Sequence, residues 1–171
     1  MRASRESDLP ALHAIYAHHV LNGLASFELE PPDPEAFARR REALLAEGLP
    51  YLVAEVEGRI AGFAYCGPYR PRPAYRHTVE NSVYTAPGLE RRGVGRALIT
   101  ALIEQAAAAG YQQMVAIIGD SGNEASIALH EALGFRRVGT LESIGYKLGR
   151  WVDTVIMQRA LGPGDGQPPA R

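Results

Sequence analysis

The chain has a single cysteine, Cys66, among its 171 residues. One thiol cannot form an internal disulfide framework or supply a cysteine-based metal cluster. Its neighbours Ala61-Gly62-Phe63-Ala64-Tyr65 make it a strand residue that packs rather than attacks. No apolar run approaches the ~20 residues that span a bilayer. The opening Met1-Arg2-Ala3-Ser4-Arg5-Glu6 has no signal-peptide core. Charge is balanced, with 18 Lys and Arg against 19 Asp and Glu. A nucleic-acid binder is usually basic, so no nucleic-acid partner is expected. No membrane partner is expected either, and the default is a cytoplasmic enzyme-sized domain. Internal repeats are also missing. His18 and His19 point in different directions on a helix, so no metal is expected.

What remains is a chain rich in punctuation, with 18 glycines and 12 prolines. Asp8 and Pro10 open a helix whose apolar stripe is Leu9, Leu12, Ile15, Tyr16 and Val20. Asp33-Pro34 opens a second helix, stopped by Gly48, after the aromatic-bearing loop 26–32. Tyr51–Glu57 and Ile60–Gly67 read as a hairpin across Gly58-Arg59. A proline-stiffened loop with Arg70, Arg72 and Arg76 precedes a strand at Thr78–Thr85. A helix over Gly93–Ala109, a strand over Gln113–Ile118 and a helix over Ala125–Leu133 follow. Strands at Phe135–Leu141 and Thr154–Ala160 complete the order, joined through Gly145–Asp153. This order predicts an α/β fold with a mixed central sheet flanked by helices, one domain over 1–161. From Gly162 the Gly/Pro/Gln-rich tail, 162–171, is expected to be disordered.

The most informative stretch is Ser82–Ala101, where a β run ends at Thr85 and Gly93 and Gly95 open a helix. Helix N-termini present unpaired N–H groups and the positive end of the dipole, so they hold phosphates. Arg91, Arg92 and Arg96 place charge at the same point. A P-loop is excluded because Gly95 is followed by Arg96-Ala97 rather than Lys-Ser/Thr. A dinucleotide fingerprint is excluded because Leu98 stands where a third Gly or Ala is needed.

Arg92-Gly93-Val94-Gly95-Arg96-Ala97 fits Gln/Arg-x-x-Gly-x-Gly/Ala, which resembles the acyl-CoA signature of the Gcn5-related N-acetyltransferases (GNAT). A second segment, Asn123-Glu124-Ala125-Ser126 through His130 to Gly134-Phe135, resembles that family's pantetheine-side segment, with His130 where a Tyr usually stands. Gly67–Arg72, Tyr75, Thr78–Tyr84 and Trp151-Val152-Asp153 resemble the phosphinothricin / methionine sulfoximine N-acetyltransferase subfamily over nearly the full chain. The resemblance implies a GNAT fold, acetyl-CoA as cosubstrate, a small amine substrate and a homodimer. It implies that the backbone of Val83, Tyr84 and Thr85, the loop Arg91, Arg92, Gly93, Val94, Gly95 and Arg96, and Asn123 and Ser126 hold acetyl-CoA. It matches Glu80 and His130 to catalytic positions and Phe27, Arg70, Arg72 and Tyr75 to substrate positions. The run Pro71-Arg72-Pro73 departs from the subfamily in being unusually proline-rich.

Alternation on a strand puts Glu80, Ser82 and Tyr84 on one face and Val79, Asn81 and Val83 on the other. Glu80 is thereby a candidate general base acting directly or through water, with Tyr84 beside it as a proton donor. His130 either protonates a departing thiolate or relays the amine proton. Transfer in a ternary complex needs no covalent enzyme intermediate. Two other readings share these residues: a protein or peptide N-terminal acetyltransferase, and a non-catalytic acyl-CoA-binding module.

Overall fold

A computed structural model of the chain, in which residues 1–169 are described, has the expected α/β order of elements. They run β1 (Arg2–Ala3), α1 (Leu9–Asn22), α2 (Pro34–Ala46), β2 (Tyr51–Val56), β3 (Arg59–Pro68), β4 (Thr78–Thr85), α3 (Val94–Ala108), β5 (Gln113–Gly119), α4 (Glu124–Ala132), β6 (Arg136–Lys147) and β7 (Arg150–Ala160). The strands form one sheet in the order β1-β2-β3-β4-β5-β7-β6. Only β4 and β5 pair in parallel among the described strands. Among the described residues no helix is long and apolar enough to cross a membrane.

Alternation along the strands divides the core between the two faces of the sheet. Leu52, Ala64 and Val79 face α3, where Leu98, Ile99 and Leu102 are buried. Val53, Phe63 and Tyr84 face α1 and α2, against Leu12, Ile15, Tyr16, Val20 and Phe37. Each large side chain removed from water contributes ~1.5–3 kcal/mol, so both helix layers are fixed by the same strands.

The helix starts behave differently from one another. Asp33 caps α2 as expected, its Oδ1 accepting from Ala36 N–H at 2.7 Å. Asp8 occupies the N-cap position of α1 but its carboxylate does not cap the helix. It accepts instead from Arg5 N–H at 2.7 Å and from both terminal nitrogens of the Arg2 guanidinium at 2.7 and 2.8 Å. This carboxylate thus fastens β1, a two-residue strand that no sequence signal marks, to the start of α1.

The last hairpin is longer than expected. Both strands run through the supposed connection Gly145–Asp153 and meet at a tight turn, Leu148-Gly149. Register shifts at Arg137/Gly139 and Leu141/Gly145 break the period-2 pattern, so the end of β6 reads as a loop. Asp153 secures the wider shift, accepting from Ser143 N–H at 2.8 Å and Ser121 Oγ–H at 2.6 Å. The described part of the tail expected to be disordered carries a short 3-10 turn at Gly164–Gly166. Gln112 Nε2 donates to Gln167 O at 3.0 Å beside it. Residues 170 and 171 of that tail lie outside the described residues.

One irregularity positions everything below. β4 and β5 share register only from Thr78↔Gln113 to Asn81↔Ala116. Beyond that point Ser82–Thr85 stay paired with β3 and Ile117–Gly119 stay paired with β7. The sheet therefore forks, and each arm presents an unpaired edge to the gap.

The Asp8 arrangement yields a stability prediction. Asp8→Ala removes charge-assisted hydrogen bonds and should lower the unfolding free energy by ~1.5–3 kcal/mol at pH 7. The Arg2 guanidinium holds the Asp8 carboxyl below its ordinary range, and burial only partly opposes this. A depressed carboxyl adds stability above its unfolded value, near ~3.9, that is lost as pH falls through the native value. Urea unfolding at pH 7 and pH 3 should show the parent and variant converging at the lower pH.

Candidate active site

The fork opens into a cleft of about 360 Å³. It is lined from β4 by Glu80, Ser82, Val83 and Tyr84, and from β5 by Ile117–Gly119. α4 adds Asn123, Ser126 and His130, and the α1–α2 connection adds Ser26 and Phe27. Seven residues singled out in the sequence — Phe27, Glu80, Val83, Tyr84, Asn123, Ser126 and His130 — thus meet around one space.

Glu80 and Tyr84 stand on the α1/α2 side of β4. The Tyr84 ring lies 5.1 Å from both Tyr16 and Phe63, and burial pushes its phenol well above the ordinary range. That phenol is a proton donor at neutral pH. Glu80 is half-buried, and desolvation raises its carboxyl above the usual carboxylate range, with Arg70 acting in the opposite sense.

His130 reaches the cleft from the other side of β4. It is buried, with Nδ1 2.8 Å from Ser126 O and Nε2 3.2 Å from Asn81 Oδ1. The Ser126 carbonyl and the Asn81 amide oxygen can only accept, so each contact needs an N–H from the ring. Burial lowers the imidazole below its ordinary value and favours the neutral ring, whose single N–H, assigned to Nδ1 by the shorter contact, leaves Nε2 facing Asn81 Oδ1 without a hydrogen bond. A proton arriving at Nε2 would find Asn81 Oδ1 as its acceptor. Asn81 is itself buried, and its Nδ2 donates to Val115 O at 3.4 Å. The His130 and Asn81 side chains therefore meet where α4 lies against β4, at the last paired residue before the fork.

The expected anion cradle stands beyond the open end of β4. Gly93 caps α3 with φ 81°, a left-handed conformation that a side chain would strain. The first turn closes with Ala97 N–H donating to Gly93 O at 3.0 Å. Helix geometry leaves the amides of Val94, Gly95 and Arg96 without intrahelical acceptors, and Arg91, Arg92 and Arg96 are exposed around them. The Val94 side chain is buried in the α3 core, so this residue offers only its backbone. A Cβ on Gly95 would meet Leu129 Cδ2 at 3.2 Å and Thr85 Cγ2 at 3.9 Å. Its smallness thus serves the approach of α3 to α4 and to the end of β4. Thr85 O already accepts from His19 Nε2–H at 2.8 Å.

Arg70, Arg72 and Tyr75 do not line this cleft. They line a separate groove of about 710 Å³, with Tyr69, Arg76 and Tyr111. The proline-rich stretch folds back there as a 3-10 turn over Pro73–Tyr75, with Tyr75 N–H donating to Arg72 O at 2.9 Å. The Arg70 guanidinium carbon lies 5.2 Å from the Tyr69 ring centre. Its influence on the Glu80 carboxyl is what links groove and cleft.

Sequence reasoning missed Asn81, Lys147 and Thr154. A polar residue between Val79 and Val83 on one face of the strand is the signal that could have marked Asn81, since buried polar groups need partners. Lys147 gave none, because its segment reads as a connection. It is buried, and Nζ donates to Ser26 O at 2.6 Å.

The profile of the Acetyltransferase (GNAT) family matches residues 13–135. The chain is 53% identical over 165 residues to the phosphinothricin N-acetyltransferase of Alcaligenes faecalis, covering 96% of this chain and 84% of that protein. It is 40% identical over 169 residues to the L-methionine sulfoximine/L-methionine sulfone acetyltransferase of Pseudomonas paraeruginosa, covering 98% of each. A crystal structure of a GNAT superfamily phosphinothricin acetyltransferase from Sinorhizobium meliloti, in complex with AcCoA, superposes with a TM-score of 0.97 at 41% identity. That match covers 99% of this chain and 92% of the other.

The buried imidazole makes stability depend on pH. The unfolded chain takes up a proton near pH ~6.5, whereas folded His130 resists it. The parent should lose stability as pH falls from 8 through 6.5, with a slope of at most ~1.4 kcal/mol per pH unit from this group. Urea unfolding of His130→Gln between pH 8 and 5 should give a shallower slope over that window.

Proposed function

Because the chain belongs to the acetyltransferase (GNAT) family, whose fold it shares, we propose that it transfers the acetyl group of acetyl-CoA to the amino group of a small amino acid. The substrate carries an anionic or strongly polar side chain, of the phosphinothricin, methionine sulfoximine or methionine sulfone type. The observation that carries this reading is the forked sheet, with the raised carboxyl of Glu80 inside the gap.

Acetyl-CoA supplies a thioester carbonyl for the amine to attack. The unpaired edge at Val83–Thr85 suits the amides of the pantetheine arm, an added-strand mode that needs no special side chains. A backbone N–H on the same edge would stabilise the charge that develops on the carbonyl oxygen. The amides and arginines of Arg91–Arg96 suit the pyrophosphate. Asn123 Oδ1 accepts from Ser126 N–H at 3.2 Å to cap α4, which leaves the Asn123 amide hydrogens for the arm.

Glu80 removes the proton from the substrate ammonium, directly or through water. Its raised pKa brings it nearer the group it must deprotonate. Tyr84, protonated, returns a proton to the departing thiolate. His130 sits where α4 lies against β4 and can take a relayed proton at Nε2. Cys66 is buried and its thiol is pushed up to about 12, which supports direct transfer within a ternary complex and suits a reducing cytoplasm. Arg70, Arg72 and Tyr75 serve the substrate from the adjoining groove, where Arg70 already acts on Glu80 and would draw a substrate anion to the same place.

The enzyme works as a homodimer in this reading. β6 is an edge strand, and its hairpin exposes Val138, Ile144, Tyr146, Leu148 and Trp151 together. Tyr146 and Trp151 are 59% and 65% exposed with their rings 5.4 Å apart. A long apolar edge invites a partner, and a second copy of the same hairpin is the self-complementary choice.

Thiol release from acetyl-CoA across a panel of amines tests the function. Methionine sulfoximine, methionine sulfone and phosphinothricin should be acetylated. Acetylation of peptide N-termini alone would establish the N-terminal acetyltransferase, and acetyl-CoA binding without turnover would establish the binding module. In the active enzyme Glu80→Gln should lower kcat by ~10²–10⁴-fold with little change in acetyl-CoA affinity. Arg70→Ala removes the charge that lowers the Glu80 carboxyl, so the acid limb of kcat/KM should move to higher pH. Light scattering should give a dimer for the parent and a monomer for Trp151→Asp; a monomeric, fully active parent would remove the dimer from the proposal.

A further inference from the structure

The loop between α1 and α2 carries Phe27 to the cleft, and it has no secondary structure of its own over 26–28 to hold it there. The Phe27 ring itself is supported from the far arm of the fork. Alternation at the end of β6 turns Ile144, Tyr146 and Leu148 to the exposed face, while Gly145 and Lys147 turn toward the loop. Lys147 Nζ donates to Ser26 O at 2.6 Å, in a side chain that is 4% exposed. No other hydrogen-bond partner of that ammonium is found among the described residues. Burying an ammonium on one acceptor is costly, so the contact is a demanding way to hold a surface loop. Burial lowers the Lys147 ammonium below its ordinary range, and the Glu28 carboxylate opposes this only in part.

The Phe27 ring itself rests between two glycines from different strands. A Cβ on Gly145 would stand 2.7 Å from Phe27 Cδ2, closer than real contacts allow. A Cβ on Gly119 of β5 would strike the Leu24 carbonyl oxygen first and stand 3.1 Å from Phe27 Cε1. The ring therefore occupies the volume that a side chain at Gly145 would fill, while at Gly119 the backbone of Leu24 takes that space first. The seat of the ring and the acceptor for Lys147 thus face the β5–β7–β6 arm, while the helices hold the two flanking residues: Tyr16 of α1 lies 3.4 Å from Ser26 Oγ and donates to Glu28 Oε2 at 3.0 Å, and Arg40 of α2 donates to Glu28 Oε1 at 2.6 Å.

We propose that Gly145 and Lys147 set the position of Phe27 in the cleft and so determine which amino-acid side chains the enzyme accepts. This rests on the reading that the amine substrate lies in that cleft. Gly145 acts by leaving room for the ring, and Lys147 acts by holding the backbone of Ser26. Neither need touch the substrate, so both are positioning residues. Moving the ring by one methyl group alters the space left for a substrate methylene, and a methylene is worth roughly 10-fold or more in discrimination.

The test compares Gly145→Ala, Lys147→Met and Lys147→Arg with the parent. Substrates are methionine sulfoximine, methionine sulfone, phosphinothricin and the homologue of each that is one methylene shorter. Gly145→Ala should change the long-to-short ratio of kcat/KM by about tenfold. Lys147→Met should raise KM for the amine about tenfold, with kcat and acetyl-CoA affinity little changed. It should also speed amide hydrogen exchange over Ala25–Glu28. Lys147→Arg, which keeps a donor, should recover most of the loss. A folded Gly145→Ala enzyme with the parent's long-to-short ratio overturns the proposal, and that variant decides the matter if Lys147→Met fails to fold. Unaltered exchange over Ala25–Glu28 in folded Lys147→Met also overturns it. A parent that acetylates none of the panel overturns the cleft reading and this proposal together, whereas an active parent with unresponsive variants overturns this proposal alone.

Discussion

The parallel pairing of β4 with β5 stops at Asn81 and Ala116, and the rest of the molecule is organised around that stop. An unpaired strand edge in a sheet interior leaves backbone donors and acceptors without partners, which is tolerable only where water or a ligand supplies them. Here the two arms of the fork are held apart by groups placed at specific points. His130 from α4 meets Asn81 at the crotch, and His19 from α1 meets Thr85 at the tip. α3 then begins just beyond that tip, at a left-handed Gly93. One interruption of a ladder thus yields a cleft, an exposed backbone edge and a positively charged helix start in a line.

Burial inside the fork acts on three titratable groups in ways that serve one proton economy. The Glu80 carboxyl is raised, the Tyr84 phenol is raised and the His130 imidazole is lowered. Each shift favours the neutral form, the ordinary consequence of desolvation. The chemical meanings differ. A raised carboxyl is a stronger base than a surface one, a raised phenol keeps its proton, and a lowered imidazole keeps a nitrogen open. Arg70, outside the cleft, is the one charge that tempers the first of these. Its charge pulls the carboxyl back toward its ordinary range.

Legibility of this molecule in its sequence follows the range of the interactions. Short-range features were plain: Asp33 capping α2, the strand Thr78–Thr85 with its alternating faces, the glycines at the start of α3 and the order of the elements. The residues of the cleft were legible because resemblance and alternation point to the same positions. Features decided by distant partners were not. Asp8 has the sequence of a helix cap, but the Arg2 guanidinium and the Arg5 amide compete for its carboxylate. The end of β6 was hidden because two register shifts erase its alternation. Arg70, Arg72 and Tyr75 sit next to β4 in sequence, yet the 3-10 turn after Arg72 folds them into a groove of their own. Lys147 could not be read at all, since its acceptor lies 121 residues away.

β6 shows how one strand can join two levels of organisation. A strand at the edge of a sheet has a free hydrogen-bonding edge and two faces of side chains. In β6 the outward face near the turn is Ile144, Tyr146 and Leu148, and the inward face is Gly145 and Lys147. The outward face is what a second subunit would cover, and the inward face is what seats Phe27. Any force that straightens or shifts the end of β6 is therefore felt at the Ser26 carbonyl through the Lys147 side chain, and directly under the Phe27 ring, where Gly145 has no side chain to absorb it. Subunit contact and substrate fit would then draw on the same six residues of backbone, from Leu141 to Tyr146, where the wider register shift makes the strand easiest to move. A rigid clamp on the inward face gives that shift a reason to be secured by Asp153, which ties Ser143 to the strand opposite and keeps the loop's seat still.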